Sequence, residues 1–245
     1  MPDSDHSNPR REFLRKTLTL IPVVTVAGSG LGMSALSAPA APAAAAMAPA
    51  KAPSDYQPSW FTAEEWAFVQ AAVARLIPAD ELGPGALEAG AAEYIDRQMH
   101  TPYASGAQWY MQGPFVTDAP SEMGYQLQLS PQQLYRLGIA AFDAHCKKQS
   151  GQVFAAQDSA AQAHLLGELE AGRCQLDGVP DKALFSLLLQ NTREGFFCDP
   201  IHGGNQGLVG WTLVGFPGAR ADFMDWVERN EAYPFPPVSI RGERA

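Results

Sequence analysis

Apolar residues recur at helical spacing in six stretches of this chain, and no stretch of more than a few residues alternates as a half-buried strand requires. Thr62-Ala-Glu-Glu65 reads as a capping box, with Thr62 at the N-cap and Glu65 three residues on. Trp66, Val69, Val73, Leu76 and Ile77 then mark one helical face, and Pro78 ends it. Leu87, Ala91, Tyr94, Ile95 and Met99 predict a second helix. Ser130-Pro-Gln-Gln133 is a second capping box with proline at the first helical position, ahead of a face made by Leu134, Leu137, Ala141, Phe142 and His145. A fourth helix starts near Asp158, carries Leu165, Leu166 and Leu169, and stops at Gly172. The fifth, from about Pro180 to Glu194, is apolar nearly all round through Leu184, Phe185, Leu187, Leu188 and Leu189, so it belongs at the centre. Ala219 to Asn230 predicts a short amphipathic helix with Phe223, Trp226 and Val227. The fold class is therefore all-α: an irregular helical domain of about five to seven helices spanning residues 51–245.

The segments between helices are long and unusual in composition. Thr101 to Leu129 holds Tyr103, Trp109, Tyr110, Phe115 and Tyr125 among prolines and glycines, so it packs down, on its own domain or on a partner. Gly195 to Gly218 contains seven glycines interleaved with Phe196, Phe197, Trp211 and Phe216. That density implies special backbone angles or close backbone approach rather than regular helix. Tyr233-Pro-Phe-Pro-Pro-Val-Ser-Ile240 favours polyproline II, a form suited to an arm laid across another surface or to a free tail.

The first fifty residues have a different logic. Arg10-Arg11, then Phe13, Leu14 and Arg15-Lys16, precede a moderately apolar run from Thr17 to Leu36, the pattern of a twin-arginine export signal. Pro22, Gly28, Gly30 and Gly32 make that run a poor permanent membrane helix, although an uncleaved anchor is the competing reading. The Ala/Pro-rich stretch to Ala50 offers two small-residue cleavage sites, Ala41-Pro42-Ala43 and Ala44-Ala45-Ala46. This route delivers folded proteins to the periplasm.

The net charge is −9 over 245 residues. Residues 1–50 carry four basic and three acidic side chains, so the remainder holds −10. Such a surface repels nucleic acid and anionic lipid. Three cysteines, Cys146, Cys174 and Cys198, leave an odd thiol even in an oxidising compartment, and their spacing fits no zinc or iron–sulfur pattern.

The motif Phe197-x-Asp199-Pro200-x-x-Gly203-Gly204-Asn205, followed by Gly210-Trp211 and Gly215-Phe216-Pro217-Gly218, resembles the small subunit (subunit 3, or gamma chain) of membrane-bound, flavin-dependent gluconate 2-dehydrogenases. The likeness extends over roughly residues 60–240, through Leu76-Ile77-Pro78 and Glu194-Gly195-Phe196-Phe197. It implies a complex in which a large subunit holds FAD and oxidises a sugar or sugar acid, and a cytochrome c subunit carrying haem c passes electrons on. The small subunit is then expected to hold no cofactor or metal and to have no catalytic residue. Its role is to bind the flavoprotein and support its maturation and its passage through the twin-arginine translocase, on the periplasmic side of the inner membrane. Phe196, Phe197, Asp199, Pro200, Gly203, Gly204, Asn205, Trp211, Phe216 and Pro217 are the expected partner-binding residues, and the aromatic loop and C-terminal arm extend that surface.

The competing reading is an independent periplasmic enzyme. Asp199 and His202 are three apart and form a candidate acid/base pair. His164 and Glu168, at i and i+4, are a candidate metal pair, although the Glu-x-x-His motifs of a bundle di-metal site are missing. Gly203-Gly204-Asn205-Gln206-Gly207 lacks the Lys-Ser/Thr of a phosphate loop, so Asp199 is expected to accept N–H groups of the glycine turn and Asn205 to adopt a turn conformation. His145 and Cys146, adjacent on one helix, point to different faces.

Overall fold

Both expected capping boxes form. The Thr62 side chain accepts from the Glu65 N–H while Glu65 reaches back to Thr62, and Ser130 and Gln133 do the same. They open α1 (Ala63–Leu76) and α3 (Pro131–Ser150) of a computed structural model that describes residues 56–116 and 119–245. Arg10, Arg11, Phe13, Leu14 and the rest of the export signal lie outside the described residues. Between these two helices comes α2 (Ala91–Gln98), and α4 (Ser159–Ala171) follows, capped by Asp158 and ended by Gly172 in the left-handed conformation. Then come α5 (Asp181–Phe197) and the six-residue α6 (Val209–Val214). Among the described residues there are isolated backbone bridges but no strand.

Helix α5 is the hub, as its all-round apolar character predicts: it packs against α1, α2, α3, α4 and α6. Leu184, Leu188 and Phe196 are fully enclosed around it. A second cluster joins α1, α3 and the turn before α4, where the Phe68, Phe142 and Phe154 ring centroids lie 5.0–5.9 Å apart. One polar network crosses this interior. The Tyr135 hydroxyl donates to Asn191 Oδ1 at 3.0 Å, and Asn191 Nδ2 donates to the Tyr103 hydroxyl and to Glu194 Oε2, each at 3.0 Å.

Three expectations change. Leu137 is exposed; the buried arc of α3 runs instead through Leu134, Tyr135, Gly138, Ile139, Phe142 and Cys146. The helix turns that way because Tyr135, an aromatic ring with a polar tip, finds its partner inside. Helix α5 runs three residues past Glu194, taking Gly195, Phe196 and Phe197 into regular helix, and α6 places Gly210 and Trp211 in a helix too. The terminal amphipathic helix is a 3₁₀ segment, Ala221–Trp226, with none of its residues buried. Its Phe223 and Trp226 pack on Tyr233 of the following arm.

A strap of residues 56–61 crosses α2 and is held there by one carboxylate. Fully buried Asp96 accepts from the Tyr56 hydroxyl (2.7 Å), Ser59 N–H (2.8 Å) and hydroxyl (3.0 Å), Trp60 N–H (3.1 Å) and Phe61 N–H (3.0 Å). Arg136 of α3 grips the same strap, stacking 3.8 Å from the Trp60 ring centroid, donating to the Trp60 carbonyl and pairing with Glu65. Burial alone would raise the Asp96 carboxyl, but the N–H groups of Phe61 and Ser59, with Tyr56 and Trp60, hold it below its ordinary value. A depressed carboxyl contributes stability that is complete above the ordinary carboxylate pKa of about 3.9 and is lost as pH falls through the lower folded value. Asp96→Asn is expected to cost about 2–4 kcal/mol at neutral pH and to flatten the acid limb of the stability curve. Denaturant melts of both proteins from pH 7 to pH 2 check this, and parallel acid limbs would contradict the assignment.

Candidate partner interface

A helix leaves its last carbonyls without intrahelical partners, and in α5 the last turn is partly buried, with Gly195 and Phe196 enclosed. The glycine-rich segment turns back and answers those carbonyls in order. Asn205 N–H donates to Gly195 O at 2.8 Å, Trp211 Nε1 to Phe197 O at 2.7 Å, and Asn205 Nδ2 to Cys198 O at 2.9 Å. Asn205 closes the loop by accepting the Gly210 N–H on Oδ1 at 2.8 Å, and it sits in the left-handed region at φ 46°, as its sequence context suggested. Two of the glycines are required by proximity: a Cβ at Gly204 would lie 2.1 Å from Gly195 O, and one at Gly210 would lie 2.1 Å from Phe196 O.

Asp199 has a different task from the one expected. Its Oδ1 accepts from Ile201 N–H at 3.0 Å and its Oδ2 from Ile240 N–H at 2.8 Å, so it ties the C-terminal arm down instead of serving the glycine turn. Val238 exchanges further backbone bonds with Pro217 and Ala219, and Pro237 and Ser239 are buried. The arm therefore lies across its own domain.

Of the ten residues expected to bind a partner, the structure buries Phe196, Asp199, Gly203, Gly204, Asn205, Trp211 and Pro217 in these internal contacts. Phe197 and Pro200 are half-buried and Phe216 is 48% exposed, its ring 5.0 Å from that of Trp211. The apolar surface lies around them. Val214, Phe216, Met224, Val227, Phe235 and Ile240 are all exposed within 27 residues, and Tyr110, Val116, Met123 and Tyr125 form a second exposed group in the aromatic loop. The inner half of that loop packs down, with Trp109 set between Tyr103 and Tyr125 at 5.4 and 4.5 Å. Its outer half walls a 430 Å³ cleft with Tyr110, Phe115 and Met123.

A third surface was not anticipated. Two open hollows of 540 and 530 Å³ flank Phe197, and Glu194 lines both. Tyr94, Gln98, Cys198, Asp199 and His202 complete the first. Burial first, then the Glu194 charge, pushes the Tyr94 hydroxyl far up, so it stays protonated and donates to Glu194. The sequence signal for this surface is the polar run Gln190-Asn191-Thr192-Arg193-Glu194, which follows the leucine-rich part of the helix.

The candidate chemistries are engaged elsewhere. Both Asp199 oxygens are held by backbone N–H groups, and His202 is exposed on the adjoining turn. His164 is 3.9 Å from Glu168, but Arg173 grips Glu168 with two bonds of 2.8 and 2.6 Å. His145 bonds Gln149 at the surface while Cys146 is buried, so the two point apart as expected. All three cysteines are free thiols; burial pushes Cys146 up to about 12 and Cys174 and Cys198 up to about 11. Among the described residues no group of three or more His, Cys, Asp or Glu is placed to hold a metal ion, and no helix is long and apolar enough to cross a membrane.

Comparison with known proteins adds one match. A family model described as gluconate 2-dehydrogenase subunit 3 matches residues 63–218, the span from α1 to the end of the glycine-rich segment. No curated protein and no solved structure matches.

Burial separates two kinds of residue in this segment. Gly204→Ala is expected to lower stability by about 3 kcal/mol or more because backbone must move, and Trp211→Phe by about 1 kcal/mol through one lost hydrogen bond. Phe216→Ala should stay within about 0.5 kcal/mol of wild type. Urea midpoints rank the three, and a large loss at Phe216 with none at Gly204 would contradict the structure.

Proposed function

The chain belongs to the gluconate 2-dehydrogenase subunit 3 family, and from that premise we propose that it is the non-catalytic small subunit of a periplasm-facing, FAD-dependent sugar or sugar-acid dehydrogenase. It binds the large flavoprotein subunit, supports that subunit's maturation, and carries it through the twin-arginine translocase on the signal begun by Arg10 and Arg11. FAD and haem c belong to the flavoprotein and to a cytochrome c subunit of the same complex, which also holds the assembly at the inner membrane.

The observation that carries this reading is the clustering of exposed apolar side chains on two loops. Outside those loops the described residues expose few large apolar groups: Leu82 on the turn after α1 and Leu137 on α3. Scattered single residues need no explanation, but apolar side chains concentrated in two segments in this way are suited to protein–protein contact. The loops rest on a rigid base: the clasp on α5 fixes Trp211 beneath Phe216, and Asp199 fixes the arm that presents Phe235 and Ile240. A surface held in place before binding loses less conformational entropy on association. A permanent subunit contact built on it should bury more than about 2,000 Å² in total.

Deleting the gene for this chain is expected to leave flavoprotein activity in the cytoplasmic fraction and remove it from the periplasmic side. Lysine substitution of Arg10 and Arg11 should do the same while leaving the two proteins able to co-purify from the cytoplasm. Full periplasmic dehydrogenase activity in the deletion strain would refute the role.

A further inference from the structure

Glu194 sits one turn from the end of α5, and its carboxylate is held by neutral donors alone. Gln190 Nε2 donates to Oε1 at 2.8 Å, and Asn191 Nδ2 and the Tyr94 hydroxyl donate to Oε2 at 3.0 and 3.4 Å. Among the described residues no lysine or arginine pairs with it, whereas Glu65, Glu93 and Glu168 each have an arginine. A carboxylate has about four acceptor sites, so three donors leave one open, on Oε1. That open position belongs to the group lining both hollows beside the half-buried Phe197 ring. Exposed Arg193 also lines the second hollow but makes no ion pair with Glu194, so the first hollow, with Asp199, is the more negative of the two. The polar network behind it reaches fully buried Asn191 and Tyr135, so the carboxylate is held from the core.

We propose that the two hollows flanking Phe197 are a docking site for an arginine-bearing surface of the flavoprotein subunit, with the guanidinium bonded to Glu194 and laid against the Phe197 ring. The proposal rests on the subunit reading above and names its recognition chemistry. An uncompensated carboxylate beside an aromatic face is complementary to a planar, weakly hydrated cation: the guanidinium stacks on the ring and supplies the missing donor. Arginine suits this better than lysine because its flat fork satisfies ring and carboxylate together. Asp199, in the same hollow, adds negative charge with its own bonds already complete. Phe197 then serves as the ridge between two hollows that partner side chains fill, the arrangement of a binding hot spot.

The test uses the full chain co-produced with its flavoprotein and compares dissociation of the complex across a salt series. Wild type is compared with Glu194→Gln, Phe197→Ala and Glu170→Gln, the last removing an equal charge from the exposed face of α4. Glu194→Gln keeps the shape of the side chain, and its circular dichroism and melting temperature report whether the fold survives. Weakening of at least about 10-fold by Glu194→Gln, with a shallower salt dependence, and a comparable loss for Phe197→Ala support the docking site. Wild-type affinity and salt dependence in Glu194→Gln, in a complex that still forms, would overturn this site and leave the subunit reading standing. An equal salt-dependent loss in Glu170→Gln would also overturn it, assigning the effect to net charge. Failure of the wild-type pair to associate would overturn both.

Discussion

The C-terminal carbonyls of α5 impose the constraint around which the rest of the domain is arranged. Five other helices pack on this helix, and Gly195 and Phe196 near its end are buried, so unsatisfied carbonyls there would each cost on the order of 1–3 kcal/mol. The chain answers by folding back on itself at close range. Only glycine at 204 and 210 lets the backbone come near enough, and Asn205 supplies both a donor and an acceptor from one side chain. The indole of Trp211 donates to the Phe197 carbonyl, which makes it a capping residue as well as an apolar one.

That arrangement settles which parts of the segment are free to meet another protein. Side chains spent on capping α5 are buried, and the same loop pushes Val214 and Phe216 outward at its tip. The arm pinned by Asp199 adds Phe235 and Ile240 to the surface. Residues that cap α5 (Asn205, Gly210, Trp211) are therefore interior, while Val214 and Phe216 at the loop tip face outward. The Asp96 carboxylate gathers three backbone N–H groups from the strap before α1, and Asp199 holds the arm more sparely, through the single N–H of Ile240.

Local signals were legible wherever the determining interaction is itself local. Thr62 with Glu65, Ser130 with Pro131 and Gln133, and Asp158 with Gly172 bracket their helices within a few residues, so the helical content and most boundaries follow from spacing and capping chemistry. The failures have a shared cause. Leu137 was assigned to the core of α3 because periodicity treats a tyrosine as ambivalent, whereas Tyr135 is drawn inward by Asn191, 56 positions away. Phe223 and Trp226 of the 3₁₀ segment Ala221–Trp226 pack on Tyr233, a residue beyond the segment whose pattern suggested an α-helix.

By itself the amino-acid sequence determined the all-α class, the central place of α5 and the family pattern in the glycine-rich motif, because periodicity, capping and glycine spacing are written in neighbouring residues. Only the tertiary structure decided which of those motif residues are interior and which face outward, since that depends on where the chain returns to a helix end it left several residues earlier. It also decided that Glu194 stands at the surface with one acceptor site open, because the donors that surround it come from two helices whose approach no local pattern encodes.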